Sequence, residues 1–229
     1  MIESRQNDNF KRWSSLLTSK GIRKHGQFLL FGAKTVSEAQ LNHADQIIET
    51  LRPEVMCKDL FSEIDIFGTH TDILVLKTPA IPTWSSPSSG STVLLPLGDP
   101  ANLGGAIRSA CALGVENIVL LKEAANPFHP KSVRAASGTL LSMRLLSGPS
   151  IADLKTEENW YGLDAGGEDI SKISWRENPV LVVGEEGPGF PKDLNIQKIK
   201  IPMSENVESL NAGVAAAIAM FEMCRPSKT

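Results

Sequence analysis

Residues 94–114, LLPLGDPANLGGAIRSACALG, hold the junction from which the rest of the chain is read. An apolar run suited to a buried strand meets Gly98, Asp99, Pro100 and Asn102, and a helix bearing Arg108 follows. Polar residues therefore gather where a strand ends and a helix begins. Open α/β sheets bind ligands at that place, and the first N–H groups of the helix stand free there. Taken alone, the segment is explained equally well by an ordinary turn, with Asp99 or Asn102 capping the helix and Arg108 in solvent.

A second junction lies at residues 181–190, LVVGEEGPGF, where an apolar run enters a loop of three glycines and two carboxylates. Glycine lets the main chain approach a ligand closely or take positive φ. Carboxylates repel phosphate and suit hydroxyl, amine or sulfonium groups. No GKS or GKT follows, which argues against a phosphate-binding loop, and the absence of GxGxxG argues against a dinucleotide site. A solvated surface turn is the simpler account of this loop by itself. The third junction, residues 201–222, IPMSENVESLNAGVAAAIAMFE, passes from a strand end through a polar turn to Ser209 and Asn211 at the start of an Ala-rich helix. Ser209 can cap that helix, with Asn211 in its first turn. The helix is expected over about 208–223, with Leu210, Val214, Ile218 and Phe221 along one side and small residues that permit packing against a second subunit.

Outward from these junctions, apolar runs at 93–97, 118–121, 160–163, 180–183 and 199–201 alternate with helical candidates. That alternation predicts an α/β class with a mostly parallel sheet flanked by helices. Upstream, residues 81–91 concentrate Pro, Ser and Gly and read as a linker. They divide a small α/β domain, 1–80, from the larger domain, 92–229. In the smaller one Phe10, Trp13, Leu16 and Leu17 fall at helical spacing over 9–19, Gly21 follows, and apolar runs at 27–31 and 72–76 flank a helix near 36–42.

A chain of 229 residues with 41% hydrophobic and 21% charged residues can bury a substantial core. Nothing approaches the roughly 20 apolar residues of a membrane span, and the beginning lacks a signal peptide's apolar stretch, so a cytoplasmic protein is expected. Cys57, Cys111 and Cys224 form no CxxC pair, which argues against structural zinc or a disulfide framework; no metal is expected. The net charge of -3 argues mildly against nucleic acid, but Lys11, Arg12, Arg23 and Lys24 fall in a locally basic stretch near the amino terminus.

Together the three junctions are far more specific than any one. DPxNxGxxxRxA, then GxExxG after a strand, then IPM and SLN before a helix resemble, in order and spacing, the three motifs of the SpoU/TrmH family of RNA ribose 2'-O-methyltransferases, within the SPOUT superfamily. The resemblance covers about 92–223, and VRAASGTLL at 133–141 and LDAGGEDI at 163–170 are also similar to family segments. The amino-terminal stretch KRWSSLLTSKGIRKHGQFLLFGAKTVSEA is similar to the small RNA-binding domain that often precedes the catalytic one.

The resemblance implies a deep trefoil knot near the carboxy terminus, S-adenosylmethionine as cofactor, transfer RNA or ribosomal RNA as substrate, and a homodimer. By motif position it implies Gly184, Ile201, Met203 and Leu210 as cofactor contacts. Asn102, Arg108, Glu186, Ser209 and Asn211 become catalytic or RNA-binding residues, and Lys11, Arg12, Arg23 and Lys24 join Arg108 on RNA. In the family Arg108's position is proposed to activate the hydroxyl, yet a charged guanidinium has no lone pair with which to accept a proton. Holding phosphate and developing alkoxide charge suits it better. Glu186 is expected either to orient Arg108 or to brace its loop. The chain departs from the commonest family pattern at Ala212 and Gly213. The rival reading is an RNA-binding protein that keeps the fold without catalysis; a nucleotide-dependent oxidoreductase fails for want of its fingerprint.

Overall fold

The computed structural model describes residues 1–86, 89–187, 189–191 and 193–225. Apart from short 3-10 turns, the first elements are α1 (Asp8–Ser15), α2 (Ser19–His25), β1 (Gln27–Leu30), α3 (Ala33–Asn42), β2 (Ile47–Leu51), α4 (Lys58–Ile64) and β3 (Ile73–Lys77). Next come β4 (Thr92–Leu95), α5 (Pro100–Leu113), β5 (Asn117–Leu120), α6 (Pro130–Ala136), β6 (Leu145–Ser147), β7 (Trp160–Asp169), β8 (Val180–Val183), β9 (Gln197–Lys200) and α7 (Ala212–Met223). They form two compact units: Met1–Ala80 with Asn126–Leu141, and Ile81–Ala125 with the chain from Ser142 onward.

The first unit is built on an antiparallel sheet in the order β1-β3-β2. Leu29, Phe31, Ile73 and Val75 meet Phe10, Trp13 and Leu16 on one side, joined by Leu60, Phe61 and Ile64. On the other side α6 packs on β1, and the rings of Phe28 and Phe128 lie 5.0 Å apart. A strand covered on both faces accounts for the unbroken apolar run at 27–31. Its second cover comes from residues 126–141, which the sequence reading placed within the larger domain. The single helix expected over 9–19 is two helices. The first is capped at Leu16, the Thr18 hydroxyl accepts the N–H of Gly21 at 3.2 Å to cap α2, and Gly21 lies inside that second helix. Such a cap stabilises by about 1 kcal/mol.

The second unit carries a six-stranded sheet in the order β6-β5-β4-β8-β7-β9, parallel at every pairing. The chain moves from β4 to β5 on one side and has β8 on the other, so the order switches direction at β4 and β8. A crevice opens at the carboxyl ends of strands at such a point. From β9 at the sheet edge the chain returns to α7, which packs on α5 and β8. A Cβ at Gly213 would lie 3.2 Å from the Asn102 carbonyl oxygen and 3.4 Å from its Cα. The departure from the family pattern noted at this position thus permits close approach of the two helix amino termini. The expected linker is partly structured. Trp84 N–H donates to the Ser147 carbonyl at 2.8 Å, Ser147 N–H donates to that of Pro82 at 2.9 Å, and the Trp84 and Trp160 rings lie 5.7 Å apart. Residues 87 and 88 of that stretch lie outside the described residues.

Candidate active site

The three junctions converge on one cleft in the second unit. Asp99 caps α5 by accepting the N–H groups of Ala101 at 2.9 Å and Asn102 at 2.8 Å, so the ordinary capping role and the polar cluster coexist. After β8, Glu185 and Gly189 exchange backbone hydrogen bonds of 3.2 and 3.1 Å. Gly187 and Gly189 take φ of 102° and 71°, which side-chain-bearing residues rarely adopt. The closed loop aims Glu186 back at α5: its Oε2 accepts Asp99 N–H at 3.0 Å and its Oε1 accepts Asn102 Nδ2 at 2.5 Å. Asn102 Oδ1 in turn accepts Asn211 Nδ2 at 2.9 Å, while Asn211 Oδ1 caps α7 by accepting Val214 N–H at 3.2 Å. Asn211, not Ser209, is therefore the cap. The helix starts at Ala212, later than the expected 208, because the 201–211 stretch is spent lining the cleft.

The cleft has a volume of about 620 Å³. Gly184, Ile201, Met203 and Leu210 line it, as do Asn102, Glu186 and Ser209. Arg108 does not. Six residues along a helix rotate a side chain by roughly 240°, and Arg108 is exposed on the outer side of α5. Glu186 ties its loop to the Asp99–Asn102 turn through these two hydrogen bonds. Asp164, Phe190 and Lys200 also line the cleft and were not among the sequence candidates. Asp164 was open to discovery, since it directly follows the apolar run at 160–163 and acidic strand ends commonly meet ligands. Among the described residues no cluster of side chains could hold a metal ion, and no helix is long and apolar enough to cross a membrane.

Residues 91–221 match the SpoU rRNA Methylase family. The chain belongs to that family. It is 37% identical to ribosomal RNA small subunit methyltransferase G 2 of Syntrophobacter fumaroxidans over 98% of its own length, and spans about half (49%) of that relative. It is 30% identical to the 23S rRNA (guanosine(2553)-2'-O)-methyltransferase RlmP of Bacillus subtilis, covering 97% of this chain and 98% of that one. The AdoMet-bound rRNA methyltransferase of Sinorhizobium meliloti shares the fold, with a TM-score of 0.81 at 23% identity over 97% of this chain and 96% of that one. The parallel sheet and this likeness give the SpoU chain a SPOUT-type α/β fold.

The first unit of this SpoU member holds the remaining sequence candidates. Arg12 is turned inward: it pairs with Glu49, donates to Gln27 Oε1 at 2.7 Å and lies over the Trp13 ring. Lys11 is exposed and stands 3.7 Å from Asp8. Arg23 and Lys24, in the last turn of α2, are exposed and make no ion pair among the described residues.

Proposed function

We propose that this SpoU methylase transfers a methyl group from S-adenosylmethionine to a ribose 2'-hydroxyl of ribosomal RNA. The joining of Glu186, Asn102 and Asn211 into one hydrogen-bonded chain on the cleft carries the reading. The cleft suits the donor. Its volume lies within the range of small-molecule sites, and Glu185, Glu186 and Glu208 against Lys200 make an acidic lining that favours a cation. When bound, S-adenosylmethionine supplies an electrophilic methyl carbon on sulfonium, so the sulfur–carbon bond breaks as the oxygen–carbon bond forms.

The chain's own contribution is positioning. With one amide hydrogen on Glu186 and its oxygen on Asn211, Asn102 is fixed in orientation and keeps its second amide hydrogen for the ribose. Arg108 holds the target phosphate and stabilises charge developing on the 2'-oxygen, while the hydroxyl proton leaves to phosphate or water. Arg108 faces away from the cleft of its own chain, which supports a homodimer in which it serves the partner's cleft. Val214, Ile218 and Phe221 are 50%, 37% and 50% exposed along one side of α7, and a second copy would bury them. The first unit acts as the RNA-binding part through Lys11, Arg23 and Lys24, with Arg12 bracing its core. The route from β8 to the edge strand β9 and back to α7 supports a trefoil knot near the carboxy terminus.

Calorimetry with S-adenosylmethionine, followed by mass spectrometry of nucleosides from ribosomal RNA incubated with protein and cofactor, tests the reading. Heat of binding and a new ribose-methylated nucleoside are expected. No heat would sink it in favour of an RNA-binding protein that keeps the fold, and a methyl group found on a base would overturn the ribose assignment.

A further inference from the structure

Asp164 sits in the cleft wall with no role assigned by any motif. Leu163 and Glu168 of β7 both pair with Ile199 of β9, so Asp164 to Gly167 leave the ladder as a four-residue excursion at the carboxyl end of the strand. The excursion is held firmly. Asp164 Oδ1 accepts Gly166 N–H at 2.8 Å, and Lys198 Nζ stands 3.1 Å from Oδ2. A Cβ at Gly167 would lie 2.4 Å from the Ile199 nitrogen, so only glycine lets the returning backbone settle there.

These contacts leave the carboxylate usable. An ionised carboxylate offers about four lone-pair directions, and one on each oxygen is taken. The side chain remains 26% exposed and borders the cleft. The Gly166 N–H, then Lys198, hold the Asp164 pKa below its ordinary 3.8, so the group is acceptor-only at neutral pH. Lys198 also offsets its charge, which weakens attraction for an ammonium or sulfonium while leaving hydrogen-bond acceptance intact. A rigid, charge-compensated carboxylate with one acceptor site per oxygen suits two neighbouring hydroxyls.

We propose that Asp164 receives the vicinal ribose hydroxyls of the S-adenosylmethionine bound in this cleft, and so selects a ribonucleoside cofactor. The inference rests on the cofactor assignment above. Its test is calorimetric affinity, with no turnover needed, for S-adenosylmethionine and for analogues lacking the ribose 2'- or 3'-hydroxyl. Wild-type protein is expected to bind the deoxy analogues about 10- to 100-fold more weakly, the range for hydrogen bonds to a charged acceptor. Asp164→Asn is expected to weaken S-adenosylmethionine by a similar factor while discriminating the analogues by less than about threefold. Asp164→Ser, which keeps an acceptor for Gly166, is measured alongside and is expected to lose the same discrimination. Equal weakening of all three ligands by the variants would make Asp164 a mere shaper of the wall and overturn the proposal, as would wild-type protein indifferent to either hydroxyl. Absence of wild-type binding to every ligand removes the cofactor assignment itself and this inference with it.

Discussion

The helix pair α5 and α7 shows two unlike surfaces. Where their amino termini meet, Gly213 admits the Asn102 backbone, Asn211 caps one helix and passes its amide to the other, and Glu186 closes the chain from the β8 loop. On the outer side Ser109, Ala112 and Leu113 lie beside Ala217, Ile218 and Phe221 around a shallow apolar hollow, with Arg108 also exposed on α5. The first surface is polar and internally bonded; the second is apolar and uncovered. Helical rotation thus divides a residue set that reads as one group in sequence, leaving Asn102 and Asn211 at the first surface and Arg108 exposed elsewhere on α5, lining neither the cleft nor the hollow.

The largest effect is expected at the polar surface. Asn102→Ala should lower kcat by about 100- to 1000-fold, as removal of an aligned donor at a developing charge does, with S-adenosylmethionine affinity changed less than about threefold because the cavity walls persist. Single-turnover assays beside calorimetry would measure the split, and a loss below about tenfold would strip that surface of its catalytic role. At the outer surface, Phe221→Glu should convert a dimer to a monomer in sedimentation at micromolar concentration, with activity lost. Mixing inactive Asn102→Ala and Arg108→Ala chains should restore roughly a quarter of wild-type activity, since half the dimers are then mixed and each has one intact composite site. No restoration would place both residues in one chain's site. The smallest effect serves as a control away from both surfaces. Burial, then Lys131, depresses the His129 pKa below 6.5, and its Nδ1 accepts Lys131 N–H at 3.3 Å to cap α6. A depressed folded-state pKa means that this stabilising contribution is present above pH 6.5 and is lost as pH falls through the lower folded value. Between pH 7.5 and 5.5 the wild-type Tm should therefore drop about 1–2 °C more than that of His129→Asn, a nontitrating cap. Equal drops would show the cap to be pH-insensitive, while activity should be unaffected in both.

How far sequence could lead follows from how local each feature is. The strand at 180–183 was expected with the bounds it has, because a run buried on both faces is apolar throughout. The three-residue β6 is too short to show a period. In α7 the exposed side, Val214, Ile218 and Phe221, and the buried side, Ala216, Ala219, Met220 and Met223, are both apolar, so periodicity could not say which faces inward. Sequence offers Ser209 as the cap with Asn211 in the first turn, whereas Asn211 caps the helix while its amide bonds Asn102, a tertiary contact that local sequence does not show. Motif order placed Gly184, Ile201, Met203 and Leu210 at the cleft, whereas Phe190 reaches it from a loop and Lys200 from the last position of the edge strand β9, neither of which a motif marks.

Asn126–Leu141 leaves the second unit after β5, completes the first with Phe128 and α6, and then returns. The family match over 91–221 therefore does not coincide with a packing boundary. For anyone exchanging parts between relatives, Ala80 is a false seam. A graft made there would set one protein's β1 against another's Phe128, so a transplantable first unit takes residues 126–141 along with 1–80.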